Sequence, residues 1–211
     1  MYMNGENIFY YITVMNENYT MPPMPEGARE GILRGLYRFR AAAKDSKLRA
    51  QLFGSGTILR EAIKAQEILA EKFGVAADVW SVTSYKELYR DAIETERWNM
   101  LHPLEKPRVP YVAETMMGAP GVFVAASDYL KSLPAMIAQW MPRRLACLGT
   151  DGFGRSETRA ALRDFFEVDA RHIAFTTLVE LFREKQVDAA LIQRAMKELA
   201  INPDKLNPHT A

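Results

Sequence analysis

A three-layer α/β protein is predicted: a mixed, mostly parallel sheet of about five strands with helices on both faces. Three observations carry this. The 211 residues are 48% hydrophobic and 25% charged, with 27 Lys plus Arg against 26 Asp plus Glu, the balance of an ordinary globular chain. Short β-branched and aromatic runs alternate with stretches of helical periodicity, the order that builds βαβ units. A polar turn, KDSK, joins two strand-like runs and brings an antiparallel strand into the sheet.

Taken in order, Ile8 to Val14 (IFYYITV) is an uninterrupted aromatic and β-branched run, the signature of a strand buried on both faces. Only seven residues precede it, so its sheet neighbours are expected in a missing upstream region. Asn16 to Gly31 carries three prolines and two glycines and reads as a linker. LYRFRAA and LRAQLF read as a hairpin around KDSK. Gly54-Ser55-Gly56 breaks the second strand, Thr57 offers an N-cap oxygen, and Ile58, Ala62, Ala65, Leu69 and Phe73 recur at helical spacing until Gly74. Asp78 to Thr83 is the next strand, and Ser84 with Glu87 forms a capping box that opens another helix. PYVAETMM as a short helix, GVFVAA as a strand, Ser127 or Asp128 as the cap of a helix to about Trp140, and RLACLGT as a strand complete the alternation. From Ser156 the chain reads as helical, with Asp169 and Asp188 as caps and Asn202-Pro203 as a stop.

Composition narrows function. A net charge of +1 supplies no global field for nucleic acid or anionic lipid, so neither partner is expected. No apolar run approaches the ~20 residues of a membrane span, and the opening residues lack a signal-peptide pattern. Cys147 stands alone and reads as a small apolar strand residue rather than a nucleophile, which fits a reducing cytoplasm. His102, His172 and His209 have no partner at metal spacing, so no protein-built metal site is expected. Glu94 and Glu96 beside Arg97 read as a solvated helix face, and Trp98 as packing.

Ligands in such sheets gather beyond the carboxyl ends of the strands. That rule selects four loops: Gly54 to Thr57, Thr83-Ser84, Ala126 to Asp128, and Gly149 to Ser156. Gly54, Ser55 and Gly56 before a helix could present backbone N–H groups to an anion, or could be turn geometry alone. In Asp151-Gly152-Phe153-Gly154-Arg155-Ser156 a carboxylate and a guanidinium lie close in sequence, and Ser156 is placed to cap the next helix. A functional loop and a rigid interface corner are both open.

Several longer motifs carry a resemblance. ITVMNENYTMPPMPEGAREG, LFGSGTILREA, ERWNMLHPLEKPRVPYV, AASDYLK and LGTDGFGRSETRAALRDFFEVDARHI occur in order and nearly end to end. They resemble the C-terminal portion of homodimeric, thiamine-diphosphate-dependent pyruvate dehydrogenases, the decarboxylating first component of that complex. The resemblance implies the transketolase C-terminal fold for residues 32–211. It also implies that residues 1–31 are the last strand of an upstream pyrimidine-binding domain plus a linker. Asn16, Glu17, Asn18 and Tyr19 would then lie near the active-site mouth of the intact enzyme. The family's diphosphate and Mg²⁺ motif, G-D-G followed by N-N, is missing from the sequence. The implied partners are the upstream domains, a second copy of the subunit, and the other components of the complex. Thiamine diphosphate and Mg²⁺ would be held by the intact enzyme and not by this chain alone, which is expected to be inactive. Two other readings stand beside it: a free-standing α/β enzyme or small-anion binder using Gly54 to Thr57 and Asp151 to Ser156, and a module that recruits another subunit.

Overall fold

The computed structural model describes residues 2–10, 12, 14, 17–20 and 22–211. Five strands form one sheet: β1 (Leu36–Arg40), β2 (Arg49–Gly54), β3 (Ala76–Val82), β4 (Val122–Ala126) and β5 (Leu145–Leu148), in the order β1-β3-β2-β4-β5. β1 runs antiparallel to β3, and the other pairs are parallel. The mixed, mostly parallel three-layer prediction therefore describes the architecture.

Strand period sorts the core. Ala50, Leu52, Val79, Val124 and Leu148 point to one face, where they meet α2 (Ile58–Phe73), α7 (Ala170–Arg183) and α8 (Ala189–Glu198) in an aliphatic cluster. Phe53, Trp80 and Phe123 point to the other, with α3 (Tyr85–Leu101) and α4 (Tyr111–Met116). There Phe53 stacks on Trp80 at 6.4 Å and on Phe123 at 6.2 Å between centroids. Burying each such ring contributes roughly 1.5–3 kcal/mol. Among the described residues, no helix is long and apolar enough to cross a membrane.

Three of the expected caps are formed. The Ser84 hydroxyl accepts from Glu87 N–H at 3.1 Å, and the Asp169 and Asp188 carboxylates open α7 and α8 in the same way. Other expectations need correction. The runs around KDSK are not a hairpin, because β3 lies between β1 and β2. Residues 41–48 cross the end of β3, and Ala42 N–H is held by the Asp78 carboxylate at 2.8 Å. Two strand widths are about 10 Å, an easy span for that segment.

Thr57 precedes α2 but its hydroxyl makes no cap bond. The helix expected to run from Ser127 or Asp128 to Trp140 is two short pieces, α5 (Ser132–Ala135) and a 3₁₀ turn at Ala138–Trp140. Pro134 inside α5 has no N–H to continue a longer helix. Ser127 instead accepts from Tyr129 N–H at 3.0 Å. Ser156 caps nothing: α6 (Arg159–Phe165) is opened by Thr158, whose hydroxyl accepts from Ala161 N–H at 3.3 Å.

The run at 8–14 pairs with none of the five strands among its described residues. Phe9 is 88% exposed and Val14 86%. Tyr11 and Thr13 lie outside the described residues. The short helix α1 (Arg29–Arg34) follows the proline-rich stretch and leads into β1.

Candidate functional site

β2 and β4 are adjacent and parallel, yet their outgoing connections diverge. α2 returns to β3 across one face, while α5 leads to β5 across the other, where Leu133 and Ile137 pack. Connections that part in this way leave a crevice outside the carboxyl ends of the two strands. A cavity of about 280 Å³ occupies it. Thr57 lines it from the loop after β2, Ile58 from the first turn of α2, Asp128 from the loop after β4, and Thr150 and Arg155 from the loop after β5. Arg159 and Arg163 enter from α6, and Tyr19 from the linker. The fourth loop is elsewhere: the Thr83 hydroxyl donates to Ile32 O at 2.8 Å, and Ser84 caps α3.

Gly54, Ser55 and Gly56 are turn geometry. A Cβ on Gly54 would stand 2.5 Å from Leu59 Cα, so only glycine lets α2 pack so close to β2. The N–H groups of Ile58 and Leu59 are already taken by Ser55 O and Gly56 O, at 3.1 and 3.4 Å. Few donors remain for an anion on this backbone. Ser55 instead bonds the Ser127 hydroxyl at 3.2 Å, which ties the β2 and β4 loops together.

The Asp151–Ser156 stretch divides in two. Asp151 accepts from Lys131 N–H at 2.9 Å and faces the Lys131 ammonium at 3.7 Å, which closes the approach to α5. Gly152 has φ +94°, and a Cβ there would meet Pro208 O at 2.2 Å, so the chain's C-terminal segment packs directly on it. This half is a rigid corner. Arg155 lies in the cavity with its guanidinium 4.8 Å from the centroid of the Phe165 ring, while Ser156 is exposed.

Of the four linker residues, Asn16 lies outside the described residues and Asn18 is exposed. Tyr19 is pinned: its hydroxyl donates to Glu17 at 2.7 Å and accepts from Arg163 at 3.1 Å. Arg60 donates to Thr20 O at 2.7 Å, and Arg159 stands 3.9 Å from the Glu17 carboxylate. Glu61, nearly buried, collects Lys64 at 3.0 Å, Arg163 at 3.2 Å and Ala170 N–H at 3.1 Å. Arg159 and Arg163 escaped the sequence reading. Their signal was Arg155, Arg159 and Arg163 at four-residue spacing, a like-charge series that is unfavourable on an isolated helix.

Burial pushes the Cys147 thiol up to about 11, against the partial pull of Arg144 and Lys131. His102 stacks on Trp98 at 4.4 Å between centroids, and Arg108 covers the same indole at 3.7 Å. Asp164, Asp169 and His172 come together, but Arg171 bridges both carboxylates. Burial raises the Asp169 pKa, and the His172 ring, the His172 N–H and Arg171 outweigh it, holding the carboxyl at about 2. Mg²⁺ with a diphosphate needs several oxygen ligands. The cavity lining offers one carboxylate, Asp128, beside three guanidinium groups, so these residues do not fit that group.

Comparison with known proteins agrees with this architecture. The chain is 49% identical over 207 residues to the pyruvate dehydrogenase E1 component of Escherichia coli K12, covering 98% of this chain and 23% of that protein. The Pseudomonas aeruginosa E1 component is 47% identical over 204 residues, again covering 23% of its length. The chain thus spans about a quarter of the relatives it matches, and the free-standing small-anion protein gains no support from them. A transketolase structure from Pichia stipitis superimposes with a TM-score of 0.54 at 16% identity, over 80% of this chain and 21% of that one, and shares the fold. Residues 35–169 match the family described as the transketolase-like TK C-terminal domain, and the chain belongs to that family.

Proposed function

We propose that this chain is the C-terminal part of a pyruvate dehydrogenase E1 component, serving as an assembly domain and one wall of the substrate approach. The observation that carries the reading is identity of 49% maintained across 98% of the chain. The whole enzyme would decarboxylate pyruvate on thiamine diphosphate with Mg²⁺ and pass the acetyl group to the lipoyl group of the second component. Residues 1–31 would complete the upstream pyrimidine-binding domain and link it to residues 32–211. Exposure of Ile8, Phe9, Tyr10, Ile12 and Val14 supports this, since such a run needs a covering surface. The same reading places Glu17, Asn18 and Tyr19 near the active-site mouth, with the upstream domains, a second copy of the subunit and the other complex components as partners.

The 211-residue chain by itself neither holds thiamine diphosphate nor decarboxylates pyruvate, for its crevice carries the wrong donors for a metal diphosphate. Calorimetric titration with thiamine diphosphate and Mg²⁺, together with an assay of CO₂ release from pyruvate, tests this. No heat and no turnover are expected. Micromolar binding or sustained turnover would refute it. Addition of a polypeptide carrying the upstream domains is expected to form a complex with the chain, and no association in sedimentation would count against the assembly role.

A further inference from the structure

We propose that the rim at the carboxyl end of the sheet, where Tyr129 and Leu130 of the loop after β4 stand beside the loop after β5 that carries Phe153, is a docking surface for the upstream domains of the same enzyme. The inference rests on the E1 reading and names the surface that reading leaves unassigned.

Exposure comes first. Phe153 is 82% exposed, Tyr129 60% and Leu130 52%. Large apolar side chains gathered on neighbouring loops mark a surface that another protein covers. The two loops touch: a Cβ on Gly149 would stand 2.5 Å from Tyr129 O and 2.6 Å from Lys131 N, and Thr150 N–H donates to Tyr129 O at 2.9 Å. Asp151 fastens them again by accepting Lys131 N–H at 2.9 Å, and Gly152 is pressed against Pro208 O on the other side.

Loops joined to one another and braced by the C-terminal segment have little freedom left to lose when a partner arrives. Pre-organisation of this kind lowers the ordering cost of association. Two residues beyond Phe153, Arg155 is exposed and faces no carboxylate among the described residues, with the Phe165 ring 4.8 Å from its guanidinium. Aromatic side chains with an arginine beside them are the composition of binding anchors. The partner that fits is an apolar protein surface with an acidic group opposite Arg155.

The linker selects the occupant. Tyr19 lines the cavity that the same two loops border through Asp128, Thr150 and Arg155. Arg163 holds the Tyr19 hydroxyl at 3.1 Å, and Arg60 holds Thr20 O at 2.7 Å. Whatever precedes Tyr19 is therefore tethered at the carboxyl end of the sheet. The chain corresponds to 23% of the Escherichia coli protein, so most of such an enzyme lies outside it. A tether anchored beside the rim gives the upstream domains a high effective concentration there. Leu104, 99% exposed, follows the far end of α3, which runs back from the carboxyl end of β3, and serves as the comparison surface.

The test is hydroxyl-radical footprinting of the full chain, alone and mixed with a polypeptide carrying the upstream domains of the Escherichia coli E1 component. Oxidation of Tyr129 and Phe153 is expected to fall roughly fivefold or more in the complex, as for side chains in a packed interface core, while Leu104 is unchanged. Phe153→Glu and Tyr129→Glu are each expected to weaken the association seen in sedimentation roughly tenfold or more, and Leu104→Glu to leave it within about twofold. All three side chains are exposed, so circular dichroism is expected to stay the same, and footprinting of the unaltered chain needs no variant. No complex with the unaltered chain would overturn the E1 reading and this inference with it. A complex in which Tyr129 and Phe153 stay as reactive as in the free chain, or one that tolerates both Glu substitutions, would overturn the inference alone. So would self-association of the free chain through these residues, because the occupant would then be a second copy.

Discussion

The two ends of the sheet are built from similar residue types and come out opposite in character. At the amino end, Trp80 Nε1 donates to Gln51 Oε1 at 2.7 Å, and Gln51 Nε2 donates to Pro120 O at 2.9 Å and reaches Asp78 at 3.4 Å. Asp78 also receives Ala42 N–H at 2.8 Å and Arg49 at 3.4 Å, so apart from Arg49 Nε the group is closed. At the carboxyl end, Thr57, Asp128 and Arg155 line a cavity with bonding capacity to spare. A satisfied buried network specifies register between strands and leaves nothing for a ligand. Spare capacity beside a cavity is where chemistry can enter.

That contrast is sharpest under mutation. Asp78→Ala removes the acceptor shared by Ala42, Gln51 and Arg49 and is expected to cost about 3 kcal/mol, read from the urea midpoint. Trp80→Phe leaves Gln51 Oε1 buried without its donor and is expected to cost about 2 kcal/mol by the same measurement. Asp169→Ala removes the N-cap of α7 at about 1 kcal/mol. Its pH dependence has a definite sign. Because folding lowers the Asp169 pKa from 3.8 to about 2, its stabilisation is complete above the ordinary value and is lost as pH falls through about 2. A profile of Tm against pH should therefore flatten in that acid window in the variant. Smallest is Arg155→Ala, expected to change stability by less than about 0.5 kcal/mol by the same urea midpoint, since the side chain is exposed. A large stability loss there would place Arg155 with the architecture and erase the difference between the two ends.

Legibility followed the range of the interactions. Ser84, Asp169 and Asp188 were readable because a cap bond closes within three residues. The alternation of β2, α2, β3, β4 and β5 was readable from periodicity. The pairing of β1 with β3 was not, since a polar turn between two strands looks the same whether or not a third strand slides between them. The 8–14 run has strand composition, but composition does not say which sheet receives it. For the candidate site, the switch-point rule selected the end of the sheet where the cavity lies, and three of its four loops line it. Within Asp151–Ser156 only Arg155 lines the cavity of the residues singled out there, because Asp151 is spent on Lys131 and Ser156 faces solvent. Arg159 and Arg163 were hidden by their ordinary look as helix-surface arginines.

The amino-acid sequence by itself determined the alternation of elements, the two apolar faces and most helix starts, since each depends on neighbours a few positions apart. Only the tertiary structure decided that β3 separates β1 from β2, that Tyr19 meets Arg163 across the linker, and that guanidinium groups from one loop and one helix converge on a single cavity. Those outcomes depend on contacts between residues far apart in the chain, and no local pattern encodes a distance that the packing of the whole domain must set.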